Sequence, residues 1–298
     1  MRAMGRIAAR GQWALALMLA ALLCAPSAQA FERGLLWQVS ADGQVRGYVL
    51  GTIHLGDPRV ALIRPGVADA LIASDAVVAE LAMEPENLRR AAAGLMLPEG
   101  ERLQALLGAP VFAALAPRLA ERGVDESTAD RLKPFAAMTM LLQPAGGGQP
   151  PLDLVLYLNG RQLGKRVDGL ETVDEQLAAL DSLALADQTR MLKELLARPG
   201  EVDGYVEQLV AAYLDEDLRA MEQLMESGVP LGPDSERLQR EFGETFLYRR
   251  NERMAERMDA LFQREKAFVA VGALHLAGER GVLRLLEQRG YTVTRKPL

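Results

Sequence analysis

Residues 35–56 read LLWQVSADGQVRGYVLGTIHLG. Two apolar runs flank Asp42-Gly43, a dipeptide that accepts the positive backbone angles of a tight turn, so the stretch predicts a β-hairpin. Its second run ends at Gly51, which puts His54 just past the carboxyl end of a strand. Residues 266–278, KAFVAVGALHLAG, repeat the arrangement: a buried-strand pattern, then Gly272, then His275 three positions on. The chain has 298 residues and two histidines, and both stand in this G-x-x-H-L frame.

Outward from the hairpin, VADALIASD (67–75) has helical character, and AVVAEL (76–81) is a short buried-strand pattern that carries Glu80 near its end. Residues 85–145 read as helical, with Ser127 or Thr128 as the N-cap of a segment starting near 125. QPAGGGQPP (143–151) is the strongest break, a glycine-proline loop that serves either as a domain seam or as the lip of a site. RQLGKRVDGLE (161–171) reads as a strand with a turn, and Thr172 and Glu175 have capping-box spacing. Apolar spacing predicts one amphipathic helix over 205–227, and a long charged helix follows over 236–265. RGVLRLLEQRG (280–290) predicts a helix closed by Gly290, before a last strand at 291–295. Strand, G-x-x-H-L, helix, strand thus occurs near each end, in a unit that usually pairs its strands in parallel. The expected fold is α/β, with a mixed, mainly parallel central sheet built from both termini and a large helical insertion over about 86–265.

Residues 1–30 carry Arg2, Arg6 and Arg10, the apolar run WALALMLAALL (13–23) and SAQA (27–30), the pattern of a cleavable secretory signal with a mature start near Phe31. The run falls short of the roughly 20 residues a membrane span needs, so no stable span is expected after cleavage. Cys24, the single cysteine, follows Leu23 rather than the small residue a lipid-attachment site requires, so the mature chain holds no thiol for a disulfide, a thiolate metal site or a nucleophile. Export without cysteine fits a periplasmic or secreted protein. Without the three leader arginines, 31 basic residues face 40 acidic ones, a net charge of −9, and no basic stripe appears. That excludes nucleic acid as an expected partner and leaves a peptide or small-molecule substrate.

In open α/β sheets, sites form beyond the carboxyl ends of strands. His54, Glu80, Glu171 and His275 all fall at such ends, and two imidazoles with carboxylates suit a divalent transition ion: manganese, cobalt, zinc or iron. Glu80 in VVAEL is costly to bury without a partner; a metal or other cation answers that cost, and so does an exit into solvent. Glu175 is read as the capping-box acid. Arg249, Arg250 and Asn251 lie on the charged helix, a solvated face unless one arginine turns inward to hold a carboxylate or an oxyanion. No G-x-S-x-G elbow occurs, and AGGGQ (145–149) lacks the lysine of a phosphate-binding loop.

Taken together, GTIHLG (51–56), VVAEL (77–81), LKPFAAMTMLL (132–142), GLETVDEQLAAL (169–180), RRNERMAERM (249–258) and VGALHLAGERGVLRLLEQRGYTV (271–293) resemble the TraB/GumN family. That family includes the Tiki proteins and is related to erythromycin-esterase-like and haem-binding ChaN-like proteins. The resemblance runs from about 35 to 296. It implies an α/β fold with both G-x-x-H histidines and a glutamate at the active site, and, for Tiki-like members, metal-dependent peptidase activity. His54 and His275 match the two motif histidines, Glu80 matches the acidic position after the second strand, and Arg250 and Asn251 match an Arg-Asn pair. The expected function is therefore an exported metal-dependent hydrolase of peptidase type, with His54 and His275 binding or flanking the ion, Glu80 as a ligand or general base, and Arg250 and Glu171 placed to position substrate. Two alternatives stand beside it: a non-catalytic protein that binds haem or a peptide signal in the same cleft, and metal-free hydrolysis with a histidine as general base.

Overall fold

A computed structural model describes residues 31–146, 148–227 and 235–298. The expected signal segment and Gly147 of the glycine-rich loop lie outside them. The first half of the chain forms β1 (Leu36–Ala41), β2 (Gln44–Thr52), α1 (Pro65–Ile72), β3 (Ala76–Leu81), α2 (Pro85–Gly94), α3 (Leu103–Leu107), α4 (Ala109–Ala120), α5 (Glu126–Ala129) and α6 (Pro134–Leu141). Next come α7 (Leu152–Gln162), β4 (Arg166–Glu171), α8 (Val173–Leu180), α9 (Leu185–Ala197), α10 (Pro199–Leu214) and α11 (Leu218–Ser227). The chain then forms α12 (Ser235–Phe242), a π-helical segment (Gly243–Tyr248), α13 (Arg249–Phe262), β5 (Ala267–Gly272), a 3-10 turn (Ala273–His275), α14 (Val282–Gln288) and β6 (Thr292–Lys296).

The six strands make one mixed sheet in the order β4-β3-β5-β2-β1-β6. β4, β3, β5 and β2 are parallel, and β1 is antiparallel to both β2 and β6. The β1–β2 hairpin turns at Asp42 (φ 54°) and Gly43 (φ 73°), both in the left-handed region that a two-residue turn of this hand requires. Strands from both ends of the chain thus meet in the middle, and helices dominate between them, although β4 returns to the sheet from within that helical stretch.

The two strand–helix–strand units do not pair their own strands. β5 inserts between β2 and β3, and β2 and β1 lie between β5 and β6, although the strands of each unit run in the same direction. What pairs instead is the two G-x-x-H strands, with Gly51 opposite Val271 and Thr52 opposite Gly272. Both histidines therefore leave neighbouring strands at one edge.

Helices cover both faces. Val77, Phe268 and Tyr48 are register partners and share a face. α7 packs there, with Gly160 so close that a Cβ would sit 2.8 Å from Val77 Cγ2. α13 brings Phe262 onto Gly47, the next residue along β2 and so the opposite face; a Cβ on Gly47 would meet that ring at 2.4 Å. Burial on both sides is why β3 and β5 are apolar without alternation. A second, all-helical core runs from Leu97 to Val202, around Leu103, Leu115, Leu119, Leu141 and Leu192.

Three expectations are corrected. The cap of the segment near 125 is Asp125, whose side chain accepts from the Thr128 N–H; Ser127 and Thr128 turn their hydroxyls back to it. The helix expected over 205–227 is two helices: Glu216 adopts φ 54°, and its carbonyl accepts the Gly34 N–H at 2.8 Å, so a long-range tie breaks an otherwise continuous amphipathic pattern. The charged helix over 236–265 is interrupted by the π segment, which shifts the helical phase downstream.

The capping box at Thr172 and Glu175 is present. Arg257 grips Glu175 through both nitrogens, at 2.6 and 2.8 Å, and that fork, with the Thr172 N–H, holds the carboxyl down to about 2. A carboxyl depressed in the folded state adds stability above its ordinary pKa near 4.5 that disappears as pH falls through about 2. Glu175→Gln is therefore expected to cost about 1–2 kcal/mol in denaturant unfolding at pH 7, and progressively less as the pH drops below about 4.

Candidate active site

The site lies beyond the carboxyl ends of β2, β5, β3 and β4, where an open α/β sheet offers a crevice. Glu80, near the end of β3, is at its centre. Its Oε1 accepts the Gly272 N–H at 2.6 Å and faces two imidazole nitrogens: His54 Nε2 at 3.5 Å and His275 Nε2 at 3.6 Å. The other oxygen, Oε2, takes Arg250 Nη2 at 2.6 Å. Gly272 borders the same space: a Cβ there would lie 3.3 Å from Glu80 Oε1 and 3.5 Å from both His54 Nε2 and His275 Cδ2. Among the described residues, no group of three or more histidine, cysteine or acidic side chains closes into a ready-made metal cage. What is present is three donors facing one small space.

The histidines are held differently. His275 is buried in its 3-10 turn, and its Nδ1 lies 2.6 Å from Asn251 Oδ1. Asn251 Nδ2 donates to the Arg280 carbonyl, so Oδ1 is the acceptor, and His275 Nδ1 must carry the proton. That leaves Nε2 as a bare lone pair toward Glu80. Burial, reinforced by the Arg250 and His54 charges, pushes this ring down to about 4 against the pull of Glu80, so it is neutral at physiological pH. His54 has a side chain 52 % exposed, and its Nδ1 lies 3.3 Å from Asp153 Oδ2. Burial of one edge works against its protonation, but Asp153 and then Glu80 more than offset that and raise it well above the ordinary histidine value. Being half-exposed, the ring pays less for charge than an enclosed one.

Burial alone would push the Glu80 carboxyl up. The facing His275 and His54 rings and the Arg250 guanidinium outweigh it and hold Glu80 well below the usual carboxylate range. Since His275 is neutral above about pH 4, Arg250 and a charged His54 are what keep Glu80 ionised at neutral pH.

Arg250 and Asn251, on the first turn of α13, are 3 % and 1 % exposed, whereas Arg249 beside them is in solvent. The Arg250 guanidinium reaches Glu171 through Nε at 2.9 Å and Nη2 at 2.6 Å, gives Nη1 to the Phe246 carbonyl, and lies over the Phe246 ring. Glu171, fully enclosed at the end of β4, also takes Arg253 Nη2 at 3.1 Å. The structure thus gathers His54, Glu80, His275, Arg250, Asn251 and Glu171 into one connected cluster. Arg250 spends its donors on Glu171, Glu80 and the Phe246 carbonyl, and Glu171 accepts from Arg250 and Arg253.

Two contributors escape a reading of the sequence. Asp153 reaches His54 from α7. Gln143 pins the backbone behind it, donating Nε2 to the His54 carbonyl at 2.8 Å while Oε1 accepts the Gly56 N–H at 3.1 Å. The glycine-rich loop is tied to the same strand end, for Gln149 N–H donates to the Gly56 carbonyl at 2.8 Å. Their places at the two ends of the glycine-proline loop, Gln143 opening it and Asp153 just past it, were the single available signal.

No helix among the described residues is long and apolar enough to cross a membrane. Comparison with known proteins returns relatives named as metalloproteases. The chain is 30 % identical to metalloprotease TIKI2 of Danio rerio over 91 % of its own length and 62 % of the relative's. It is 28 % identical to metalloprotease TIKI1 of Homo sapiens over 88 % of this chain and 62 % of the other, and 28 % identical to TIKI1 of Xenopus tropicalis over 88 % and 61 %. The chain therefore spans a little over three-fifths of the length of these curated relatives. No solved structure matches it. The model of the TraB/PrgY/gumN family matches residues 35–295, and the chain belongs to that family.

Proposed function

We propose that this protein is an exported, metal-dependent hydrolase that cleaves peptides. The observation that carries the reading is the approach of His54 Nε2 and His275 Nε2 to the same Glu80 oxygen, at 3.5 and 3.6 Å. Two donors at about 2.1 Å from one tetrahedral ion stand about 3.4 Å apart, so this spacing suits a shared ligand set. Two nitrogens and a carboxylate oxygen fit manganese, cobalt, zinc or iron, and the site's pull on a positive charge, seen in the raised His54, favours a cation. When bound, such an ion polarises a carbonyl and makes water a usable nucleophile near neutral pH.

The chain's own residues prepare the place. Asn251 fixes the His275 ring with its lone pair outward, as hydrogen-bond partners behind a ligating histidine do. Arg250 and the Gly272 N–H hold Glu80 charged and oriented. With both oxygens engaged and its basicity depressed, Glu80 suits an anionic ligand better than a general base. Arg250 and Glu171 then act by orienting Glu80 rather than by meeting substrate. The peptide class of substrate draws on the relatives' names. Export draws on the leader pattern of residues 1–30. Haem binding gains nothing here, because Glu80 Oε1 stands 3.6 Å from His275 Nε2, where a macrocycle would have to lie.

The test is cleavage of a fluorogenic peptide set by the purified protein before and after exhaustive chelation. Cleavage should vanish with the ion and return on adding back zinc, manganese, cobalt or iron(II). Undiminished cleavage by verified metal-free protein overturns the reading and selects general-base chemistry instead. Gly272→Ala gives a steric version of the same experiment. Its methyl meets nothing closer than 3.3 Å, so the fold should tolerate it, yet it crowds the shared space. Cleavage should drop about 100-fold while the melting temperature moves by no more than a few degrees.

A further inference from the structure

The geometry points to Asp153 as the positioning residue that aims His54, an inference that rests on the metal-site reading above. Asp153 is 99 positions from His54 in sequence and arrives on the first turn of α7. Its Oδ2 lies 3.3 Å from His54 Nδ1, while Oδ1 is buried without a hydrogen-bond partner among the described residues. A buried carboxylate with an unsatisfied oxygen costs stability, and an amide or an apolar side chain would cost less there. The start of a helix tolerates the charge but does not demand it. Among the described residues, the ion-pairing partner of the carboxylate is the His54 ring.

That ring needs orienting. Unlike His275, it is half-exposed, and either nitrogen could face Glu80. An acceptor behind Nδ1 keeps a hydrogen on that nitrogen and turns Nε2 toward Glu80, so Nε2 is the nitrogen that gives up its proton and offers a lone pair when a cation binds, as Asn251 arranges for His275. The main chain keeps the two partners in step. Gln143 holds the His54 carbonyl, and Gln149 holds the Gly56 carbonyl, on the same loop that leads into α7.

The experiment uses Asp153→Ala and Asp153→Asn, each titrated with Co2+ and followed by the visible absorption of the bound ion. Asp153→Ala should bind Co2+ about 10- to 100-fold more weakly than the unmodified protein. Asp153→Asn keeps an acceptor oxygen and should stay within about threefold. The metal-free Asp153→Ala protein should melt within about 2 °C of the parent, or higher, because the residue lost is an under-partnered one. Unchanged Co2+ affinity in Asp153→Ala overturns the inference. So does a fall in affinity that comes with a large loss of metal-free stability, which would make Asp153 a structural residue. A second readout stands whether or not the protein binds metal. The chain has two histidines, so 15N-histidine labelling gives two ring spin systems. Asp153→Ala should move the His54 Nδ1 resonance and leave that of His275 in place. If neither moves, Asp153 does not aim His54; if the resonance moves but no protein binds Co2+, the metal reading fails and the positioning role stands.

Discussion

Replacing His275 with alanine is expected to lower kcat/KM for peptide cleavage by on the order of 1,000-fold, about 4 kcal/mol of transition-state stabilisation. The ring is 4 % exposed, neutral above about pH 4, and fixed by Asn251, so nearly all of its binding capacity is directed at the space beside Glu80. Removing it takes away one of three donors and leaves none to replace it, because the chain's other histidine already faces the same oxygen. Stability should suffer too: Asn251 Oδ1 loses its partner in the interior, at a cost of about 1–3 kcal/mol. Metal content by elemental analysis and unfolding in denaturant separate the two losses. His54→Ala should lose comparable activity and about 1–3 kcal/mol of stability, since it leaves the buried Asp153 carboxylate without the His54 ring. Full activity in either folded variant would end the proposed mechanism.

The second large effect is on the fold itself. Arg250→Met should destabilise the protein by about 3–5 kcal/mol, a drop in melting temperature on the order of 10 °C. Arg250 is 3 % exposed and neutralises Glu80 and Glu171 together, at 2.6 Å from each. Without it, two buried carboxylates face one another's region with Arg253 alone still touching Glu171. Methionine matches the stem in volume, so the loss is one of charge and hydrogen bonds rather than packing. Arg250→Lys should recover only part, because a single ammonium cannot reproduce the fork on Glu171 and the reach to Glu80. Adding Glu171→Gln to Arg250→Met should restore a sizeable fraction of the stability. If the double variant is no more stable than the single one, the cost does not come from uncompensated charge.

The two G-x-x-H segments, the hairpin turn, the buried strands and the Thr172–Glu175 box could all be read in the sequence, because each is written in a few adjacent residues. Turn chemistry at Asp42-Gly43, continuous apolar runs at 76–79 and 267–271, and cap spacing are local properties. Resemblance to a family supplied Arg250 and Asn251, which periodicity alone would have left on a solvated face. The π segment explains why: one wider turn at Gly243–Tyr248 resets which side of α13 points inward, and no propensity marks such a turn.

What the sequence determined by itself was therefore the pieces: strands ending in glycine, histidines just beyond them, an acid at the end of a buried strand. Only the tertiary structure decided that β5 slides between β2 and β3, so that the two histidines leave adjacent strands and straddle Glu80. It alone distinguished an enclosed, neutral His275 from a half-exposed His54, and it alone brought Asp153 to the latter. Strand order and burial arise from pairings between residues hundreds of positions apart, whose free energy depends on the whole packed sheet and is carried by no short stretch of chain.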